Sequence, residues 1–135
     1  MSTRANIIIK DARTTLYFYR HSDGYPEYCG KDLEKFVNNY SDNTYRDNVQ
    51  QSAGHLIVRG YQEHNAAKAQ YGSSYNKSFA WKVGNYEPTD TLHCDVEYIY
   101  IIDLEHKTLE TRCPIDGFWD KPSLKKTKSI KKVTF

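Results

Sequence analysis

Arg20, His21, Ser22 and Asp23 stand side by side, with Tyr19 before them and Tyr25 just after. Together they offer a guanidinium, an imidazole, a hydroxyl, a carboxylate and two phenol rings. An arginine fork matches a phosphate, an imidazole moves protons near neutral pH, and a tyrosine ring stacks on a base. This is chemistry suited to a phosphate or nucleotide ligand. Leu16 to Tyr19 favour a pleated, half-buried surface. Asp23-Gly24-Tyr25-Pro26 is turn chemistry, in which Gly supplies a positive φ and Pro fixes the residue after it. The polar run therefore belongs at a strand end, where a rigid sheet holds exposed groups in place. Tyr19, Arg20, His21, Ser22, Asp23 and Tyr25, with Arg112 near the end of a later strand, form the candidate ligand-binding set. A structural corner closed by a local Arg–Asp pair is the other reading, and spacing alone does not choose between them.

Other chemistries have less support. A small phosphoester hydrolase centred on His21 and Asp23 needs only proton transfer, but the Arg-His-Gly run of histidine phosphatases is broken here by Ser22. A paired-histidine phosphodiesterase needs a second HxT or HxS element, and neither His21-Ser22 nor His93-Cys94 has that spacing. His93-Cys94-Asp95 offers metal ligands, yet along a strand Cys94 would point away from the other two. His55 and His64 read as helix-surface or packed residues and His106 as a solvated turn residue. The glycines are too far apart for GxGxxG, and none precedes a Lys-Ser or Lys-Thr pair as a P-loop requires. The expectation is no catalytic constellation, no metal and no cofactor. Nucleotide binding must then rely on side chains, with Arg20, Arg46, Arg59 and Arg112 and nearby tyrosines as the sources.

The elements that must position these groups follow from periodicity. Asn6 to Lys10 and Thr15 to Arg20 read as two antiparallel strands joined by a turn at Asp11-Ala12-Arg13. Asp32 looks like a capping acid, and Leu33, Phe36 and Val37 then mark a short helix to about Tyr40. Val49, Ala53, Leu56, Ile57, Gly60, Tyr61 and His64 form one stripe of a helix over 44–65. Gly54 and Gly60 weaken that helix, and Leu56-Ile57-Val58 leaves a strand open. Residues 66–78 read as a loop. Phe79 to Val83, His93 to Asp103 and Thr108 to Cys113 read as strands, with turn-rich sequence from Gly84 to Thr91. Val96, Tyr98, Tyr100 and Ile102 alternate with Asp95, Glu97, Ile99 and Ile101, which makes one end of that strand wet on one face and the other buried on both. The predicted fold class is α+β: an antiparallel sheet of about five strands with two helices packed on one face.

A chain of 135 residues suffices for one domain with its own core. Residues 1–120 form that domain and 121–135 a basic C-terminal tail. The chain carries a net charge of +2. Lys121, Lys125, Lys126, Lys128, Lys131 and Lys132 contribute six positive charges after Asp120 with no acid among them, which leaves −4 for residues 1–120. The tail reads as solvated and partly disordered, with at most weak, salt-sensitive nucleic-acid binding. Val133 and Phe135 leave open an edge strand instead. Cys29, Cys94 and Cys113 are an odd number with no CxxC spacing and no secretory leader, which implies a reducing, cytoplasmic setting with buried thiols. No apolar run reaches the length of a membrane span. Twelve tyrosines against one methionine point to a recognition surface, with Tyr17, Tyr19, Tyr25 and Tyr28 the candidates and Tyr98 and Tyr100 ordinary sheet residues.

Thr3-Arg4-Ala5-Asn6-Ile7, the Tyr19-to-Glu27 run with its Tyr-Arg-His-Ser-Asp-Gly-Tyr-Pro-Glu sequence, and Gly84 to Asp90 before a Tyr/Ile-rich strand resemble a group of small, largely uncharacterised bacterial and bacteriophage proteins. The resemblance spans most of residues 3 to 112 and implies a phage or mobile-element setting. In size and order of elements alone, the chain is also similar to phage anti-defence proteins that trap nucleotide immune signals such as cyclic ADP-ribose derivatives. Taken with the missing catalytic constellation and the Arg/Tyr turn, that likeness favours a non-catalytic protein that sequesters a nucleotide-like signal in the host cytoplasm. A protein-binding inhibitor of a host defence factor is the alternative. A small domain builds a deep site most simply between copies, so a homo-oligomer is expected.

Overall fold

The computed structural model describes residues 3–71, 85–116 and 121–135. The fold is α+β. Strands β1 (Ala5–Lys10) and β2 (Thr15–Arg20) open the chain, followed by helices α1 (Lys31–Ser41) and α2 (Val49–Tyr71). Strands β3 (Glu87–Thr89), β4 (Tyr98–Asp103), β5 (Thr108–Pro114) and β6 (Thr127–Thr134) complete it. They make one six-stranded sheet in the order β3-β2-β1-β4-β5-β6. The sheet is mixed: β1 runs parallel to β4 and every other neighbouring pair is antiparallel. The expected five antiparallel strands thus become six with one parallel pair at the centre. That pair is buried on both faces, which is why Ile7, Ile8 and Ile9 form an unbroken apolar run with no alternation.

Both helices cover one face. Leu33, Phe36, Val37 and Tyr40 of α1 and Val49, Ala53 and Leu56 of α2 pack on Ile7, Ile9, Phe18, Tyr100 and Ile102. The opposite face holds a smaller cluster of Ile8, Tyr19, Ile99 and Ile101, covered by Val96 and Leu92 from the segment before β4. Helix α2 begins later than the sequence suggests, because Asn48 accepts a hydrogen bond from the Gln51 N–H through its side chain (2.8 Å) and caps the helix there. It also runs on through residues 66–71, where a loop was expected; Ala66, Ala69 and Gln70 favour helix. The strand expected at Phe79 to Val83 lies outside the described residues.

The strand expected from His93 begins only at Tyr98. The buried Asn6 side chain explains the delay, since its Nδ2 donates to the His93 carbonyl (3.0 Å) and its Oδ1 accepts from the His93 N–H (3.1 Å). That pair of bonds takes the place of strand pairing. β3 fell in sequence that reads as a turn; its Pro88 sits on the outermost strand, where a missing N–H costs no ladder bond.

Residues 127–134 are not a solvated tail. They pair with β5 along their whole length, with a bulge opposite Thr111 and Arg112. The cysteines also depart from expectation: all three are free, but only Cys29 is buried, while Cys94 is exposed and Cys113 half-buried. No helix among the described residues is long and apolar enough to cross a membrane.

Candidate functional site

Strand alternation separates the residues that sequence placed together. In β2, Arg20 shares the helix-side face with Phe18, whereas Tyr19 belongs to the cluster on the opposite face. Two polar regions result.

The first is a corner between the end of β2 and the two helices. Arg20 is 2% exposed. Its Nε donates to the Ser22 carbonyl (2.8 Å), its Nη2 to Glu63 Oε1 on α2 (2.9 Å), and its guanidinium lies 5.1 Å from the centre of the Tyr86 ring. Tyr86 is fully buried and donates its hydroxyl to Asp32 Oδ2 (2.6 Å). Arg59 closes the network through Nε to Asp32 Oδ1 (2.8 Å). Asp32 is therefore not the helix cap it resembles; Gly30 occupies that position after a π-helical turn over Pro26–Gly30. Burial pushes the Cys29 thiol up to about 12 and the Tyr86 phenol well above its ordinary value. Burial also penalises the Arg20 charge, yet its acidic neighbours Tyr86, Cys29 and Glu63 raise its pKa overall. With the thiol and phenol neutral, Glu63 is the counter-ion. Arg20 Nη1 and Glu63 Oε2 are buried without a hydrogen-bond partner among the described residues.

The corner is a structural junction, and its turn works differently from the expected one. The positive φ falls on Asp23 (56°), not on Gly24. Gly24 is required for closeness instead. Its N–H donates to the Thr3 carbonyl (3.0 Å), its carbonyl accepts from the Tyr100 hydroxyl (2.7 Å), and an added Cβ would lie 3.0 Å from Ala5 Cβ. Asp23 is exposed, Ser22 contributes its backbone carbonyl to Arg20, and the Tyr25 ring tilts against Tyr28 at 6.0 Å.

The second region is the open face of the sheet at the β2–β3 end. The Tyr19 hydroxyl hydrogen-bonds His21 Nδ1 (3.1 Å), and the Tyr19 ring stacks on His93 at 4.1 Å and 16°. His93 Nε2 in turn meets the Thr89 hydroxyl (3.2 Å). Glu87 lies directly opposite Tyr19 in the β2–β3 ladder, and Thr89 opposite Tyr17. Burial raises the Glu87 carboxyl above its ordinary pKa, while His21 and His93 pull the other way. Burial pushes the Tyr19 phenol up to about 12, so it stays a neutral hydrogen-bonding group. Arg4 and Asp95 form an ion pair at 3.2 Å and also act on the Tyr19 phenol. Two imidazoles and a carboxyl, all half-exposed, thus gather around the buried Tyr19 phenol.

Arg112 joins neither region. Its Nε and Nη2 donate to the Thr127 hydroxyl (2.7 Å) and carbonyl (2.9 Å), and its Nη1 to Glu110 (2.9 Å), so it fastens β6 to β5. Of the seven predicted ligand-binding residues, Tyr19 and His21 lie together on the open face. Arg20 is buried behind them, Ser22, Asp23 and Tyr25 form the corner, and Arg112 is remote. The sequence reading missed Glu87 and Thr89 because β3 is too short to show a period. It weighed His93 only as a metal ligand on a strand, whereas Asn6 holds it in a loop. No protein-family model, curated protein or solved structure matches this chain.

Proposed function

We propose that this chain is a binding protein that captures a nucleotide-like ligand on the open face of its sheet and does not transform it. In the phage setting that the sequence resemblance implies, the role is anti-defence: sequestration of a nucleotide-like immune signal. The observation that carries this reading is the convergence of His21 and His93, from distant parts of the chain, on Tyr19, one at its hydroxyl and the other on its ring. Among the described residues, each imidazole uses one nitrogen on a hydroxyl of the sheet, Tyr19 for His21 and Thr89 for His93, which leaves the other nitrogen of each for a ligand. A nucleobase stacks on an imidazole face, an imidazole N–H donates to a phosphate, and the Glu87 carboxyl accepts from a ribose hydroxyl or a base amino group. A homo-oligomer belongs to the same reading, because a second copy over so open a face would enclose the ligand.

Mass spectrometry of the small molecules released on denaturing the purified protein tests it, together with calorimetric titration of a panel of linear and cyclic nucleotides. The expected outcome is a retained or tightly bound nucleotide whose affinity falls by about 1–3 kcal/mol in His93→Ala, the worth of one base stack. Release of none, with no binding across the panel, sinks the proposal. Turnover of a bound nucleotide would instead favour a hydrolase centred on His21.

A further inference from the structure

The lysine-rich strand β6 has no part in either polar region. It is the longest strand in the described sheet, at eight residues, and it lies at the edge with β5 as its one neighbour. Long exposed edges are templates for another chain, and proteins usually keep them short, bulged or charged. This one carries a bulge and Lys128, Lys131 and Lys132, and Ile130 stands 48% exposed. Beside it runs a groove of about 290 Å³ between α1 and β6, with Val37, Val133 and Phe135 in its lining. Lys131 spans the groove to Glu34 at 2.6 Å.

We propose that β6 is a docking edge for an extended acidic segment of a partner protein, which adds to the sheet as a seventh strand. Backbone hydrogen bonds along the edge supply affinity, and the adjoining groove takes apolar side chains of the added strand. Charge selects the occupant. Residues 121–135 carry six lysines and no acid, so a second β6 laid against the first brings like charges together, while an incoming strand with its apolar residues on the groove side turns its alternate Glu residues to the opposite face, where Lys132 stands opposite Glu110.

The edge can be blocked without disturbing β5. The Phe135 N–H donates to the Lys107 carbonyl on the β5 side, so the two-residue period turns the Lys132 N–H outward. Proline at such a position is tolerated on an edge strand. The test is fluorescence anisotropy of a short labelled peptide alternating Glu with Val, titrated with the full chain. The expected result is binding that weakens more than about tenfold, or 1.4 kcal/mol, in Lys132→Pro with an unchanged thermal melt. The same peptide N-methylated at successive central residues should not bind. Equal binding of the methylated peptide would reduce the effect to charge alone and overturn strand addition. Absence of peptide binding, or tighter binding of an oligothymidylate of equal charge, overturns the proposal too. A dimer that Lys132→Pro converts to monomer by light scattering would assign the edge to a second copy instead.

Discussion

Arg20 and His21 are adjacent in sequence yet belong to regions built on opposite principles. The corner is centred on the buried Arg20 and Tyr86, with half-buried Asp32, Arg59 and Glu63 at its rim, and its charges draw partners from both helices and the segment before β3. The face around His21 is half-exposed, and its groups touch one another through single hydrogen bonds and one ring stack. Arg20 Nη1 and Glu63 Oε2 lack a hydrogen-bond partner among the described residues, but both atoms are buried, so the corner has little to offer a ligand, and damage there should unfold the chain. The groups of the open face around Tyr19 are half-exposed, and damage there should leave the fold standing while removing whatever binds. Polar density in a sequence therefore does not distinguish a joint from a site; the burial of the charged group at its centre does.

The largest effect expected from this contrast is that of Arg20→Ala. It leaves the Glu63 carboxyl without its counter-ion and removes the cation from over Tyr86. A loss of about 3 kcal/mol is expected, the low end for breaking a buried pair, because Glu63 retains contact with water. The urea midpoint measures it. A variant that folds as stably as the parent would show that the corner is not a joint.

The two glycines of α2 sharpen the same point. A Cβ at Gly60 would come within 2.9 Å of Tyr86 Cδ2 and 3.0 Å of its backbone nitrogen, whereas at Gly54 nothing lies within 4 Å. Helix propensity favours alanine at both by about 1 kcal/mol. Gly54→Ala should therefore raise the thermal midpoint. Gly60→Ala should lower it, since overpacking against backbone costs about 1–3 kcal/mol. Parallel behaviour of the two variants would mean that Tyr86 is not locked against the helix.

What was legible in the sequence follows the same division. β1, β2 and α1 could be read because each is a contiguous pattern that packs in register with itself. The corner could not, since Asp32, Arg59, Glu63 and Tyr86 come from three segments and only tertiary packing unites them. Alternation along β2 already assigns Tyr19 and Arg20 to opposite faces. Reading the turn as one polar cluster set that period aside. The lysines of β6 resemble a solvated tail because an edge strand exposed on both faces has no hydrophobic alternation to show. Thr127, Ile130, Val133 and Thr134, all β-branched, were the available sign of a strand.

On the open face the effects should be smaller and confined. Tyr19→Phe keeps the ring stack on His93 and removes the hydroxyl that holds His21. Stability should fall by no more than about 1 kcal/mol, the worth of one hydrogen bond. NMR shifts should move at His21 and its neighbours and stay fixed at Arg20 and Tyr86. Shifts that spread to the corner would show that the two regions are coupled through the strand.

The smallest effect is a pH dependence at Glu87. Burial raises its carboxyl above the ordinary value of 4.5, and His21 and His93 pull against that rise without cancelling it. A carboxyl whose pKa is higher folded than unfolded binds its proton more tightly in the folded state. Its contribution to stability is complete below 4.5 and is lost as pH rises through the folded value. Glu87→Gln cannot titrate and keeps its contribution. The stability of the parent relative to Glu87→Gln should therefore fall on raising the pH across that window, read by urea unfolding at matched ionic strength. Adding His93→Gln removes one of the two groups that hold the pKa down, so the window should extend to higher pH. Parallel curves for parent and Glu87→Gln would mean that the carboxyl is fully solvated and that the face lacks the half-buried acid assigned to it.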